Sequence, residues 1–193
     1  MPARDSEEGG LRGLEREASV TKSGFETLRA WFETYLRGFA SDGGELSPPL
    51  ELKRAHSWQV AENARQISRE LGQSDSDVEL AGAAGLLHDV GRFTQFWRYG
   101  SFSDADTLDH GAEGCRVLER EASDLFESDE EGGRLLFAVR YHNRRTEEIP
   151  AGRTPAHDGL LRLVRDADKI DIMAIVLRSV EEDGFRALPS MLP

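Results

Sequence analysis

Residues 86–92 of the chain read Leu86-Leu87-His88-Asp89-Val90-Gly91-Arg92. An apolar run ends there in an adjacent histidine and aspartate, which are followed by a glycine and an arginine. Burying an imidazole and a carboxylate among leucines is costly unless a partner compensates them. A divalent metal ion is such a partner, because imidazole nitrogen and carboxylate oxygen are common transition-metal ligands. The stretch therefore predicts a metal centre, if the rest of the chain supplies further ligands.

The composition predicts an ordinary globular protein. The chain has 193 residues, of which 38% are hydrophobic and 31% charged, and no apolar run approaches the roughly 18 residues that a membrane span needs. Its one cysteine excludes an intrachain disulfide, which is typical of a reducing compartment, so we expect a cytoplasmic protein. The net charge of −12 argues against stable nucleic-acid binding and against an anionic membrane surface. A small anionic substrate is compatible with it.

Hydrophobic spacing predicts helices along most of the chain, and no segment alternates in the way typical of strands. The predicted helices cover residues 25–39, 50–71, 77–88 and 110–122, a stretch from Leu135 into His142, and Gly159 to about Glu182. Ser76 and Glu79 indicate a capping box. Residues 91–109 lack periodicity and are expected to be an aromatic loop beside a pocket, and residues 123–133 a solvated loop. The predicted fold class is all-α.

Two units are expected along the chain. Residues 1–45 would form a flexible N-terminus plus an accessory helix, because their first part is charged and glycine-containing. Glycines and prolines between residues 41 and 49 then break the chain. Residues 46–193 would form the main helical domain.

Four of the five histidines fall on inward faces or at the ends of apolar helices: His56, His88, His110 and His142. The predicted buried stripe of the helix over 50–71 consists of Leu52, His56, Val60, Ala64, Ile67 and Leu71. Asp168 lies on the apolar side of the last helix. One inward histidine is usually a hydrogen-bonded core residue. Four of them with two inward carboxylates would leave several buried nitrogens without partners unless a metal binds.

The order of these residues resembles the HD superfamily of metal-dependent phosphohydrolases, named for the adjacent His-Asp pair. The resemblance runs from about His56 to Asp171 and is strongest in LLHDVGRF, DHGAEG, YHN and RDADKID. It implies an HD-domain-like helical bundle to which the N-terminal helix is an addition.

The resemblance also implies a ligand set. The first metal would be bound by His56, His88, Asp89 and Asp168, and Asp89 would bridge to a second metal held by His110 and His142. Asp166 is the alternative to Asp168. One or two divalent ions are implied, and Mn, Fe, Ni, Co, Zn and Mg all stay open.

The implied activity is hydrolysis of a phosphomonoester or phosphodiester, on a nucleotide-like or other small molecule, by metal-activated water. The expected catalytic residues are Asp89, Arg92 and Lys169. Arg92 and Arg144 are expected to bind the substrate, because guanidinium matches phosphate geometry, whereas Arg145 is expected to be a solvated surface arginine. A diiron HD-type oxygenase and a non-catalytic nucleotide-binding regulator are the alternatives. The expected partner is a small phosphorylated substrate, and a homodimer stays open.

Overall fold

Helices make up the regular structure of the chain. The computed structural model describes residues 21–183, which contain seven α-helices, two short 3-10 turns and no strand. The α-helices are α1 (Thr21–Arg37), α2 (Pro48–Glu70), α3 (Asp75–Leu87), α4 (Val90–Tyr99), α5 (His110–Glu121), α6 (Asp129–Tyr141) and α7 (Pro155–Asp183). The all-α prediction is confirmed. The predicted flexible N-terminus lies largely outside the described residues.

The central element is α3, because nearly all its residues are apolar or small. Nine of its 13 residues are buried, and it packs against α1, α2, α6 and α7. Gly85 permits a close approach to α2: a Cβ at this position would lie 2.9 Å from the carbonyl oxygen of Val60 and 3.0 Å from the Cα of Ala61. This close crossing brings the end of α3, which carries His88, beside the middle of α2, which carries His56.

The start of α3 lies two residues earlier than predicted. Ser74 is its N-cap, and its hydroxyl accepts a hydrogen bond from the backbone N–H of Asp77 at 3.2 Å. The predicted capping box is wrong, because both of its side chains make contacts with other helices. Ser76 donates to a glutamate of α6, and Glu79 accepts a hydrogen bond from an arginine of α2.

The buried face of α2 also differs from the predicted stripe. His56 and Val60 are buried as predicted, but Leu71 is 66% exposed, because the helix ends one residue before it. Lys53, which the pattern left on the polar side, is instead 5% exposed. The helix therefore contributes an unpredicted positive charge to the interior.

The segment expected to be a loop over 91–109 begins with a helix, so that prediction is wrong for its first half. Helix α4 ends at Gly100, whose φ of 65° closes it with a left-handed turn that glycine adopts without strain. Phe93 is fully buried, and Phe96 packs partly buried against the core. The exposed aromatic side chains of Trp97 and Tyr99 obscure this helical period in the sequence. The irregular segment is confined to residues 100–109.

Gly91 allows α5 to begin directly against α4. A Cβ at Gly91 would overlap the carbonyl oxygen of His110 and lie 2.6 Å from the backbone nitrogen of Gly114. Asp109 caps α5 and accepts hydrogen bonds from the first backbone N–H groups of the helix. The start of α5 is thereby held beside Asp89, the residue that precedes α4.

Helices α6 and α7 both begin four or more residues earlier than their predicted apolar segments. The expected solvated loop over 123–133 contains a 3-10 turn and the first turn of α6, so that prediction is wrong in part. Ser128 caps α6, and its acidic first turn complements the positive end of the helix dipole. The acidic residues of this stretch thus stabilise the start of a helix.

Helix α7 runs antiparallel to α2. The Asn63 side-chain amide donates to the carbonyl oxygen of Ala167 at 3.2 Å, and Asp171 contacts His56. This alignment places Asp168 on the α2-facing side of α7.

Helix α1 packs on α3 and shares its core. Its buried side chains lie at helical spacing: Phe25, Leu28, Phe32 and Leu36. A helix is present where one was predicted, and both its accessory character and the division of the chain at residue 45 stay predictions. Among residues 21–183, no helix combines the length and apolarity needed to cross a membrane.

Candidate metal centre

The residues predicted as ligands meet at one buried place. It lies where α3 ends, α5 begins and α6 ends, between the middle parts of α2 and α7. The four imidazoles and the Asp89 carboxylate are each less than a tenth exposed, and Asp168 closes the group on one side. The members are His56, His88, Asp89, His110, His142 and Asp168.

One half of the site consists of His56, His88 and Asp168. The Nε2 atoms of His56 and His88 lie 3.1 and 3.7 Å from Oδ1 of Asp168. The same two nitrogens lie 3.8 and 3.6 Å from Oδ2 of Asp89. Asp166, the alternative ligand, is exposed on another face of α7. Asp168 is thus the aspartate that the fold brings to the histidines.

The other half consists of His110 and His142. Their Nε2 atoms lie 3.3 and 3.5 Å from Oδ1 of Asp89 and 3.0 Å from each other. Asp89 therefore faces one pair of histidines with each of its carboxylate oxygens. A carboxylate with this arrangement is suited to bridge two cations.

Each histidine is oriented through its second ring nitrogen. The Nδ1 atom of His56 lies 2.6 Å from Oδ2 of Asp171, and that of His110 lies 2.6 Å from Oδ2 of Asp104. The Nδ1 atoms of His88 and His142 donate to backbone carbonyl oxygens three residues earlier, at 2.7 and 2.8 Å. An acceptor at Nδ1 fixes the proton there and leaves the Nε2 lone pair free for a metal.

The histidine Nε2 atoms at this place are suited to bind a cation. His56 Nε2 and His88 Nε2 are buried and form no hydrogen bond with any described residue, although buried polar atoms are normally paired. The two Nε2 atoms of His110 and His142 face each other as lone pairs at 3.0 Å, which is repulsive without a cation or proton between them. Histidine nitrogens with two carboxylates are a donor set for divalent transition metals, so the residues fit the implied ions.

A protein-family comparison agrees with this geometry. A family model described as HD domain matches residues 54–173, which is more than half of the chain. The chain belongs to the HD domain family. This match confirms the resemblance to the superfamily of metal-dependent phosphohydrolases. No curated protein and no solved structure gives a significant match.

Sequence reasoning missed a buried lysine, Lys53, which lies one residue before the range that the family model matches. Lys53 Nζ lies 2.7 Å from Oδ2 of Asp89, and both side chains are almost inaccessible. Lys53 lies three residues before His56, a spacing that puts both on one helix face. That spacing was the available signal, but lysine is so often exposed that the pattern did not use it.

Burial and neighbouring charges set the protonation of the centre. Burial would raise the pKa of Asp89, but Lys53 and the surrounding imidazoles hold that pKa well below its usual range. Burial would lower the pKa of His56, yet the Asp168 and Asp171 carboxylates raise it to about 8. Burial lowers the pKa of His110 to about 4 despite its contact with Asp104. His110 is thus neutral at pH 7, and the carboxylates around His56 attract positive charge.

The Arg92 guanidinium is already engaged in hydrogen bonds within the protein. Its Nη1 donates to Gln95, to the carbonyl oxygen of Phe102 and to Asp104. Its Nε is buried without a hydrogen bond in the described chain, 3.6 Å from Oδ1 of Asp89. Arg92 therefore ties the 100–109 segment to α4 and holds the aspartate that orients His110. Its predicted phosphate contact stays a prediction.

The other predicted cations lie at the mouth of the centre. A cavity of about 300 Å³ is lined by His142 and Asp168 on its inner side and by Arg144 and Lys169 farther out. Arg144 pairs with Asp109, whereas Lys169 is exposed. Arg145 also lines this cavity. Arg165, which sequence reasoning did not single out, lines it too.

Proposed function

We propose that this HD domain is a metal-dependent hydrolase that cleaves a phosphate ester of a small molecule. The proposal rests on the position of the Asp89 carboxylate between two pairs of histidines. Its Oδ2 faces His56 and His88, and its Oδ1 faces His110 and His142. Family membership supports the same reaction class.

Two ions would be held by these side chains. His56, His88 and Asp168 with Oδ2 of Asp89 would bind the first, and His110 and His142 with Oδ1 would bind the second. Divalent ions in such a pair lower the pKa of water and polarise phosphoryl oxygens. The chain contributes ligands that are already fixed in orientation, because Asp171, Asp104 and two backbone carbonyls hold the rings.

The route to the centre favours an anionic substrate. The cavity that reaches His142 and Asp168 carries the positive side chains of Arg144 and Lys169. Positive groups at a cavity mouth concentrate anions and neutralise charge on a transferring phosphoryl group. The whole chain has a net charge of −12, so the sign of the charge is reversed at this cavity.

The decisive experiment measures metal content and hydrolysis together. Protein purified without chelator should contain divalent metal and hydrolyse at least one compound in a panel of phosphomonoesters and phosphodiesters. His88→Ala and Asp89→Ala should lose both metal and activity, whereas the exposed control Asp166→Ala should keep both. Unchanged metal content in the first two variants would refute the site.

The alternatives give different results in the same samples. A diiron oxygenase would show a visible absorption that changes with oxygen, without phosphate release. A non-catalytic regulator would bind metal and nucleotide without turnover. Either pattern would contradict the proposed hydrolase.

A further inference from the structure

We infer that the mouth of the metal centre contains a second anion-binding subsite, formed by Arg145 and Lys169 with Arg165, and that the substrate therefore carries two phosphate groups. One phosphate would reach the metal centre, and the other would be bound outside it. The subsite rests on the proposed function, because it serves the same reaction.

The first observation is the charge of the cavity lining. Four cationic side chains line the cavity, and Asp168 is the one carboxylate among its lining residues. Asp168 is itself turned toward two imidazoles of the metal centre. The outer part of the cavity is thus positive. The cationic residues are Arg144, Arg145, Arg165 and Lys169.

The second observation is that only one of these four cations, Arg144, has a counter-ion among the described residues. Within residues 21–183, the charged groups of Arg145, Arg165 and Lys169 form no ion pair with a carboxylate. Arg144, in contrast, already pairs with Asp109 and lies 3.8 Å from Glu148. The charges of Arg145, Lys169 and Arg165 are therefore available to a ligand.

The third observation is that Arg165 is held in place. Its Nε donates to the carbonyl oxygen of His142 at 2.9 Å, and its Nη2 donates to that of Tyr141 at 3.3 Å. These contacts leave part of the guanidinium free and fix it at the cavity wall. A pre-positioned guanidinium loses little entropy when it binds phosphate.

The arrangement places the subsite next to the metal centre but outside it. Arg145 follows the metal-centre residue His142 by three positions, and Lys169 directly follows Asp168. A cavity of about 300 Å³ connects these pairs. One phosphate group at the centre leaves Arg145 and Lys169 without an anion, whereas a second phosphate on the same molecule would neutralise them.

Binding of phosphonates tests this subsite without hydrolysis. Calorimetry on the metal-containing protein would compare alkane-1,n-bisphosphonates with alkyl monophosphonates of the same chain length. At the chain length that spans the two positions, we expect the bisphosphonate to bind about tenfold tighter or more, as charge-assisted hydrogen bonds to a second anion imply. The preferred length also reports the spacing between the two phosphates.

A double variant identifies the residues responsible. Arg145→Ala/Lys169→Ala should remove most of the gain from the second phosphonate, and it should weaken monophosphonate binding less than bisphosphonate binding, because Lys169 also adds positive charge at the mouth of the centre. The matched control, Arg162→Ala/Arg178→Ala, removes two exposed α7 arginines that do not line the cavity, and it should keep the gain. An equal gain in both double variants would overturn the subsite.

The outcomes separate this inference from the proposed function. Hydrolysis of phosphate esters with no preference for a second phosphate would refute the subsite and leave the hydrolase intact. A second-phosphate gain without hydrolysis of any ester would refute the hydrolase alone. Tighter binding of a single-stranded oligonucleotide than of any bisphosphonate, through the same cations, would overturn the small-molecule substrate.

Discussion

The ammonium of Lys53 lies 2.7 Å from Oδ2 of Asp89, the oxygen that faces His56 and His88. Both side chains are buried, with 6% and 4% of their surface exposed. Removing one partner of a buried ion pair leaves the other charge uncompensated. Lys53 therefore neutralises Asp89 in the metal-free centre, and divalent ions would take over part of that role.

We predict that Lys53→Met lowers the free energy of unfolding of metal-free protein by about 3 kcal/mol. The loss should be smaller with divalent metal present, because the metal compensates Asp89. Urea unfolding in chelator and in excess Mn²⁺ measures both values. Lys169→Met, the same change at an exposed position, is the control and should stay within about 0.5 kcal/mol. Equal losses in the two variants would show that the buried pair contributes nothing.

We predict that Gly91→Ala destabilises the protein by about 1–3 kcal/mol, because the added Cβ meets the backbone of α5 rather than a movable side chain. Displacing α5 also moves His110 away from Asp89, so metal content should fall. Gly133→Ala is the matched control, since a Cβ there meets nothing within 4 Å, and it should stabilise α6 by roughly 0.5–1 kcal/mol. Thermal unfolding with metal analysis reports both effects. A Gly91→Ala protein with wild-type stability and metal content would refute the close contact.

We predict that Asp104→Asn weakens one metal position about 10- to 100-fold and spares the other, as changes to residues that orient a ligand do. Asp104 lies 2.6 Å from Nδ1 of His110 and does not contact His56 or His88. Metal titration by calorimetry would resolve the two positions. Asp106→Asn, an exposed neighbour that accepts a hydrogen bond from Ser103, should change neither. Equal weakening of both positions by Asp104→Asn would argue against two separate halves.

We predict that Cys115 does not react with thiol reagents in the native protein. Burial raises the pKa of this thiol to about 12, and its Sγ lies 3.1 Å from the carbonyl oxygen of Leu136. Because only the thiolate is nucleophilic, labelling at pH 8 should be at least a hundredfold slower than for the urea-unfolded chain. Rapid labelling of folded protein would show that α5 opens in solution.

Sequence patterns predicted most helices, but they failed at three places where residue type was a poor guide to structure or burial. The aromatic residues around Phe93 hid the period of α4, because some pack inward and others are exposed on one short helix. The acidic start of α6 was mistaken for a loop, although negative charge at a helix N-terminus is stabilising. Lys53 was missed because charged residues are presumed to face solvent.

The candidate ligands were identifiable by residue type and order, since an adjacent His-Asp pair and inward histidines are visible in the sequence. Sequence reasoning assigned no role to Asp171, and it could not single out Asp104 among the aspartates before His110, because an acceptor for an imidazole is defined only by distance. The same is true of Arg165 and Arg145, whose shared cavity joins the end of α6 to the middle of α7.

By itself the sequence determined the helical fold class, the approximate helices and the set of candidate metal ligands, because hydrophobic period and residue chemistry are local properties. The tertiary structure alone decided which oxygen of Asp89 faces which histidines, that Lys53 pairs with that carboxylate, and that unpaired cations surround the mouth of the centre. These are properties of packing between helices distant in sequence, where glycines such as Gly85 and Gly91 set the approach.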